Sequence, residues 1–168
     1  MSLFKTSNID RVEVRVISFF LLNIEDETLD LNADYQRGHV WSLEQKQNLI
    51  LSIFNGLPID NISLVYNERN NHSIEVVDGK QRITAIYGFF KNEFPIIVNG
   101  SEYFFKDLEK FDQRAFKNTV TIPVNFIKSS ISELEKFKYF YTINFTGTEQ
   151  SEEHRQFIID KIKELEKN

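Results

Sequence analysis

The most informative stretch for chemistry is Asp78-Gly79-Lys80-Gln81-Arg82. A strand rich in β-branched residues, Ile74 to Val77, runs into a glycine turn and straight into a helical pattern. The first N–H groups of a helix have no partner within it, so they make a ready anion site. Gly79 lets a backbone or a phosphate come close. Lys80 and Arg82 add positive charge, and a guanidinium grips phosphate through two parallel hydrogen bonds. Asp78 is suited to hold a divalent cation or to orient water. Triphosphate binding is the chemistry this set fits. The same residues fit a second reading, with Asp78 as a helix N-cap and Gln81 as its capping-box partner. The chain has no Walker A sequence and no G-x-G-x-x-G, which disfavours the two common nucleotide folds.

Two further segments carry polar groups in suggestive company. Tyr35-Gln36-Arg37, with Trp41 nearby, combines aromatic rings, an amide and a guanidinium in one polar loop, a set that suits a base or a phosphate. It suits equally a loop whose aromatic rings pack on the core while Arg37 forms an ion pair. Asn144-Phe145-Thr146-Gly147-Thr148 has the Asn and Gly of a left-handed helix ending.

These segments need elements to hold them. Val12, Val14 and Val16 alternate with Glu13 and Arg15, which predicts a half-buried strand with the valines inward. Ile17 to Ile24 predicts a helix, and Leu29 and Leu31 a short extended piece. Residues 32–41 predict a loop. Ser42 and Gln45 form a capping-box pattern, so a helix follows, with Leu43, Leu49, Ile50, Ile53 and Phe54 inward and its end at Gly56 and Pro58. Ile62, Leu64 and Tyr66 alternate as a strand, residues 68–72 predict a hairpin loop, and Ile74 to Val77 the returning strand. Ile83, Ile86, Tyr87 and Phe90 form a helical stripe. Phe94–Asn99 and Tyr103–Phe105 predict strands around Gly100. A short helix is predicted over Leu108–Phe116. Val120–Ile127 predicts a strand that Pro123 makes an edge or bent strand. Helices over Ile131–Ile143 and Ser151–Leu165 complete the chain. The fold class is α+β: a single mixed domain over residues 1–168, with a small sheet and several packed helices.

Composition removes several functions. Of 168 residues, 20 are Lys or Arg and 25 Asp or Glu, a net charge of −5, which disfavours constitutive nonspecific nucleic-acid binding. There is no cysteine, so no disulfide framework, thiolate metal site or cysteine nucleophile. His39, His72 and His154 are scattered and form no metal-ligand spacing. The apolar fraction of 41% argues for a packed core. No apolar run has the length of a membrane span, and the N-terminus shows no secretion signal. The expected location is cytoplasmic, without membrane contact.

Taken in order, the motifs resemble the DUF262 family, the N-terminal domain of GmrSD-type modification-dependent restriction enzymes and related phage-defence proteins. The match lies in Tyr35-Gln36-Arg37-Gly38-His39-Val40-Trp41, the Ser52–Pro58 stretch, Val76-Val77-Asp78-Gly79-Lys80-Gln81-Arg82-Ile83-Thr84, and Ile143-Asn144-Phe145-Thr146-Gly147-Thr148. It covers residues 17 to 165. The resemblance implies a ParB/sulfiredoxin-like fold and the binding, often the hydrolysis, of a nucleoside triphosphate, with Mg²⁺. By position it carries over Asp78, Gly79, Gln81 and Arg82, with Gln36 and Arg37; in a triphosphate site the catalytic set would be Asp78, Gln81 and Gln36, with Gln81 or Gln36 orienting the attacking water and Asp78 holding Mg²⁺. Gly79, Lys80, Arg82, Arg37 and Tyr35 would hold the nucleotide, and Asn144 and Thr146 the pocket rim. Lys80 stands where the family has Gln, and Gln150 where it usually has Leu, so binding and hydrolysis are separate expectations. Full restriction enzymes of this type carry an HNH-type nuclease region, and no histidine here has the company such a site needs. No DNA cleavage by this chain alone is expected; DNA and a nuclease subunit or other protein are the expected partners. Two other readings stay open: a non-catalytic, ParB-like DNA-binding module, and an interaction or inhibitor subunit.

Overall fold

A five-stranded mixed sheet carries helices on both faces, an α+β arrangement as expected. The computed structural model describes residues 8–31, 41–67, 73–145 and 152–167. Tyr35, Gln36, Arg37, Thr146 and the loops expected at 32–40, 68–72 and 146–147 lie outside the described residues. The strands are β1 (Ile9–Val16), β2 (Leu29–Asp30), β3 (Ile62–Asn67), β4 (Ser73–Asp78) and β7 (Thr121–Ile127), in the order β1-β7-β3-β4-β2. β1 runs antiparallel to β7 and β3 antiparallel to β4, whereas β7 with β3 and β2 with β4 are parallel.

The period-2 pattern of the central strands sorts the core into two layers. Leu64, Val76, Val124 and Phe126 face one side, where they pack with Ile17 and Phe20 of α1 (Ile17–Glu25), Ile50 and Ile53 of α2 (Leu43–Phe54), Ile83 and Phe89 of α3 (Lys80–Phe90) and Phe116 of α4 (Lys110–Asn118). Val65, Val77 and Ile127 face the other side, against Phe137 and Phe140 of α5 (Glu133–Phe145) and Ile158 of α6 (Glu152–Leu165). β5 (Ile96–Val98) and β6 (Ser101–Tyr103) form a separate hairpin. Among the described residues no helix is long and apolar enough to cross a membrane.

Several local expectations are corrected. β7 is an internal strand, not an edge. Pro123 is tolerated because pairing with β3 begins only at Val124, so its missing N–H falls where no partner strand runs. β1 does alternate, but with its faces reversed: Val12 and Val14 are exposed, while Arg11 and Arg15 lie over the ring of Phe126. Leu43 of α2, expected inward, is also exposed, whereas Phe54 does turn inward, its ring stacked on Phe116 and edge-on to Phe89 with one side left open. The second strand around Gly100 ends at Tyr103, and Phe105–Asp107 is a 3₁₀ turn. The helix expected from Leu108 starts at Lys110, after that turn.

Candidate functional site

Gly79 makes the turn between β4 and α3. Its φ of +97° is left-handed, a conformation open to glycine. A Cβ there would also meet Ile62 Cγ1 at 2.7 Å, so space as well as backbone angle demands the missing side chain. Gly79 is itself the N-cap of α3, which corrects the reading of Asp78 as cap with Gln81 as its partner. Asp78 is the last residue of β4. Among the described residues the helix start therefore has no side-chain cap, and its first turn holds no acidic residue. The first hydrogen bond of the helix, Ile83 N–H to Gly79 O at 3.0 Å, leaves the N–H groups of Lys80, Gln81 and Arg82 with no acceptor inside the helix. This is the geometry that favours an anion.

Arg82 is the third residue of α3, in its first turn, and folds back over this end. Its Nη2 donates to Asp78 Oδ2 at 2.7 Å and to the Asn61 carbonyl at 2.9 Å. Its Nη1 lies 4.0 Å from the carboxylate of Asp60, which is 93% exposed. The side chains of Arg82 and Asp78 are 17% and 22% exposed, so the pair is largely shielded yet reachable. The buried Nε of Arg82 has no hydrogen-bond partner among the described residues. Asn61 is braced by its own amide, which donates to Asn125 Oδ1 at 3.2 Å. Lys80 is half-buried and makes no ion pair among the described residues. Two carboxylates (Asp60, Asp78) and two cations (Lys80, Arg82) therefore share the turn.

Gln81 reaches sideways. Its Oε1 accepts the Trp41 N–H at 3.2 Å, which ties the start of the α2 region to the start of α3. Next to Trp41, Ser42 and Gln45 complete the expected capping box, with Gln45 N to Ser42 Oγ at 3.2 Å and Ser42 N to Gln45 Oε1 at 2.8 Å. The N-terminal ends of α2 and α3 are thus neighbours. Asn144 sits in the last turn of α5, where its amide donates to Phe140 O at 3.1 Å. Along α5, Lys136 meets Glu75 at 2.7 Å and Tyr139 meets Ser63 at 3.0 Å, and Ser63 stands opposite Asp78. The turn carrying Asn144 follows in the same direction, so it lies toward the Asp78 end of the sheet.

The structure thus brings Asp78, Gly79, Lys80, Gln81 and Arg82 into one cluster, and Asn144 to the same end of the fold. The Trp41 N–H, from the end of the Tyr35–Trp41 motif, belongs to the cluster, as do Asp60 and Asn61, which had no motif of their own. The signal of Asp60 and Asn61 was position alone, just ahead of β3. Among the described residues no three His, Asp or Glu side chains converge on a metal position. A separate apolar groove of about 520 Å³, lined by Leu51, Phe54, Ile96, Val98, Tyr103 and Leu108, opens at the far end of α2.

Fold and site together define a mixed α and β domain with an uncapped helix start and an ionic cluster at one end of its sheet. The family model for the N-terminal domain of the GmrSD restriction endonuclease matches residues 19–167, and the chain belongs to that family. It is a component of a restriction or phage-defence system. No curated protein and no solved structure matches the chain.

Proposed function

We propose that the chain is the nucleoside-triphosphate-binding regulatory domain of its restriction system, with the phosphates seated at the start of α3. The observation that carries the reading is the uncapped, left-handed Gly79 turn with Arg82 folded across it. The N–H groups of Lys80, Gln81 and Arg82 face the phosphates, Lys80 supplies a mobile charge, and Arg82 the bidentate grip. Tyr35, Arg37, Asn144 and Thr146 complete the wall in this reading. The ParB/sulfiredoxin-like fold belongs to the same proposal, as do DNA and a nuclease partner.

The site's own charges set a condition. Phosphates entering alone meet Asp60 and Asp78. A Mg²⁺ ion is commonly held by one or two carboxylates together with substrate phosphates, and Asp78 fits that role. Arg82 would then move from Asp78 to phosphate as the ion replaces it. Hydrolysis makes a further demand, because Gln81 Oε1, the acceptor that would orient a water, is already bonded to Trp41. Gln36 is the second amide for that task. Binding with slow turnover is the expected behaviour.

The test is a thermal-shift panel of ATP, GTP, CTP and UTP, each with and without Mg²⁺. A ligand at about 100 times its Kd stabilises the native state by about 2.7 kcal/mol. For a domain of this size that is a rise of roughly 5–10 °C. The reading expects a Mg²⁺-dependent rise that Arg82→Ala and Lys80→Ala each reduce. The readout is the ligand-induced increment, because Arg82→Ala also lowers the baseline. No rise with any nucleotide, or an undiminished rise in Arg82→Ala, would overturn it.

A further inference from the structure

β1 is the outer strand of the sheet. Ile17 N–H donates to Val120 O at 3.2 Å, and Ile17 faces Val120 in the register that pairs Val16 with Thr121. Bonded and non-bonded pairs alternate in an antiparallel ladder. Arg11, Glu13 and Arg15 therefore spend their backbone groups on β7, while Val12 and Val14 turn theirs to an edge that is open among the described residues, together with the N–H of Val16, whose carbonyl belongs to the first turn of α1. Val12 and Val14 are each 63% exposed, on the α5 side of the sheet. Charged side chains commonly guard an edge against pairing. Here they are drawn back on the other face: Arg11 lies 4.5 Å from the Phe126 ring centre, Arg15 5.3 Å from that of Phe19, and Glu13 pairs with both arginines.

We propose that this edge pairs with the same edge of a second copy, antiparallel, about a two-fold axis at Val14. The order of charges selects that axis. An axis at Glu13 would oppose Glu13 to Glu13 of the second copy and Arg11 to Arg15, which like charges forbid. An axis at Val12 would set Val14 against Asp10 and would run through the register shift between Ile9 and Arg11. The axis at Val14 places Val14 on Val14, Val12 on Val16 and Glu13 on Arg15, each twice or on the axis. It uses only the regular part of the strand. The paired segment is short, so the dimer is a concentration-dependent one. β4 lies three strands away, so the Asp78 turn stays open in both copies.

The chain contains no cysteine, which makes the register directly testable. Directly opposed residues in an antiparallel pair have Cα atoms about 5.5 Å or less apart, within disulfide reach. Under mild oxidation Val14→Cys is expected to form a covalent dimer, and Val12→Cys, which faces Val16, to do so far more slowly. Sedimentation velocity should show a dimer that grows with concentration and is lost in Val14→Lys. Val14 is exposed, so at concentrations where the wild type is monomeric the thermal melt of Val14→Lys should match it. A wild-type chain monomeric at every concentration, a dimer undisturbed by Val14→Lys, or Val12→Cys linking as fast as Val14→Cys would overturn the proposal.

Discussion

Gly79→Ala tests whether the turn at the head of α3 is built as described. Two costs add. An alanine held at φ +97° pays for the left-handed backbone, about 1–2 kcal/mol. Its Cβ also falls 2.7 Å from Ile62 Cγ1, and Ile62 is fully buried, so the core must give way at a further cost of about 1–3 kcal/mol. The expected loss is about 2–5 kcal/mol, read from the urea midpoint with an unchanged slope. A double-mutant cycle separates the two parts. Ile62→Ala removes Cγ1 and Cγ2 and keeps only Cβ, 3.3 Å from the added methyl, so in that background Gly79→Ala should cost little more than the backbone share, with a coupling of about 1–3 kcal/mol. A loss under about 1 kcal/mol for Gly79→Ala, or additivity of the two changes within about 0.5 kcal/mol, would refute the reasoning.

Other expectations follow from single contacts. Tyr139→Phe strips the buried Ser63 hydroxyl of its 3.0 Å partner and should cost about 1–2 kcal/mol in chemical denaturation. Lys136→Met leaves Glu75, 13% exposed, without its 2.7 Å ion partner and should cost about 2–4 kcal/mol, whereas Lys136→Met with Glu75→Leu should cost less than the single change. Ser132 donates its backbone N–H and hydroxyl to Glu135 and holds that carboxyl below its usual range. The stability it adds is present above the unfolded carboxyl pKa and lost as pH falls through the folded one, so Glu135→Gln should flatten the acid side of a urea-midpoint profile.

How far the sequence foretells this structure depends on how local each signal is. The α2 cap was legible because Ser42 and Gln45 need only each other. The Asp78–Arg82 pair was legible as a cluster because its members are four residues apart on one strand–turn–helix. The role of Asp78 was not, since the choice between capping the helix and binding Arg82 turns on the left-handed Gly79 and on Asn61 lying beside it. Asp60 and Asn61 reach the site because β3 runs antiparallel to β4, the hairpin the sequence predicts, but which residues it sets beside Asp78 depends on a register that shifts between Ser63 and Leu64. In β1 the alternation told which residues share a face, not which face is covered. The rings of Phe126 and Phe19 drew the arginines to the core side, and α5 and α6 stop short of the valines. Pro123 misled because its cost depends on where β3 begins.

The central claim is that phosphate is bound by the first turn of α3. The most direct measurement is a backbone-amide NMR titration of the labelled chain with a Mg²⁺-nucleoside triphosphate. The account predicts that the largest shifts fall on the amides of Gly79, Lys80, Gln81 and Arg82, with Asn61 following as Arg82 leaves its carbonyl. Shifts absent from these amides at saturation, or centred instead on the groove between Leu51 and Tyr103, would contradict it.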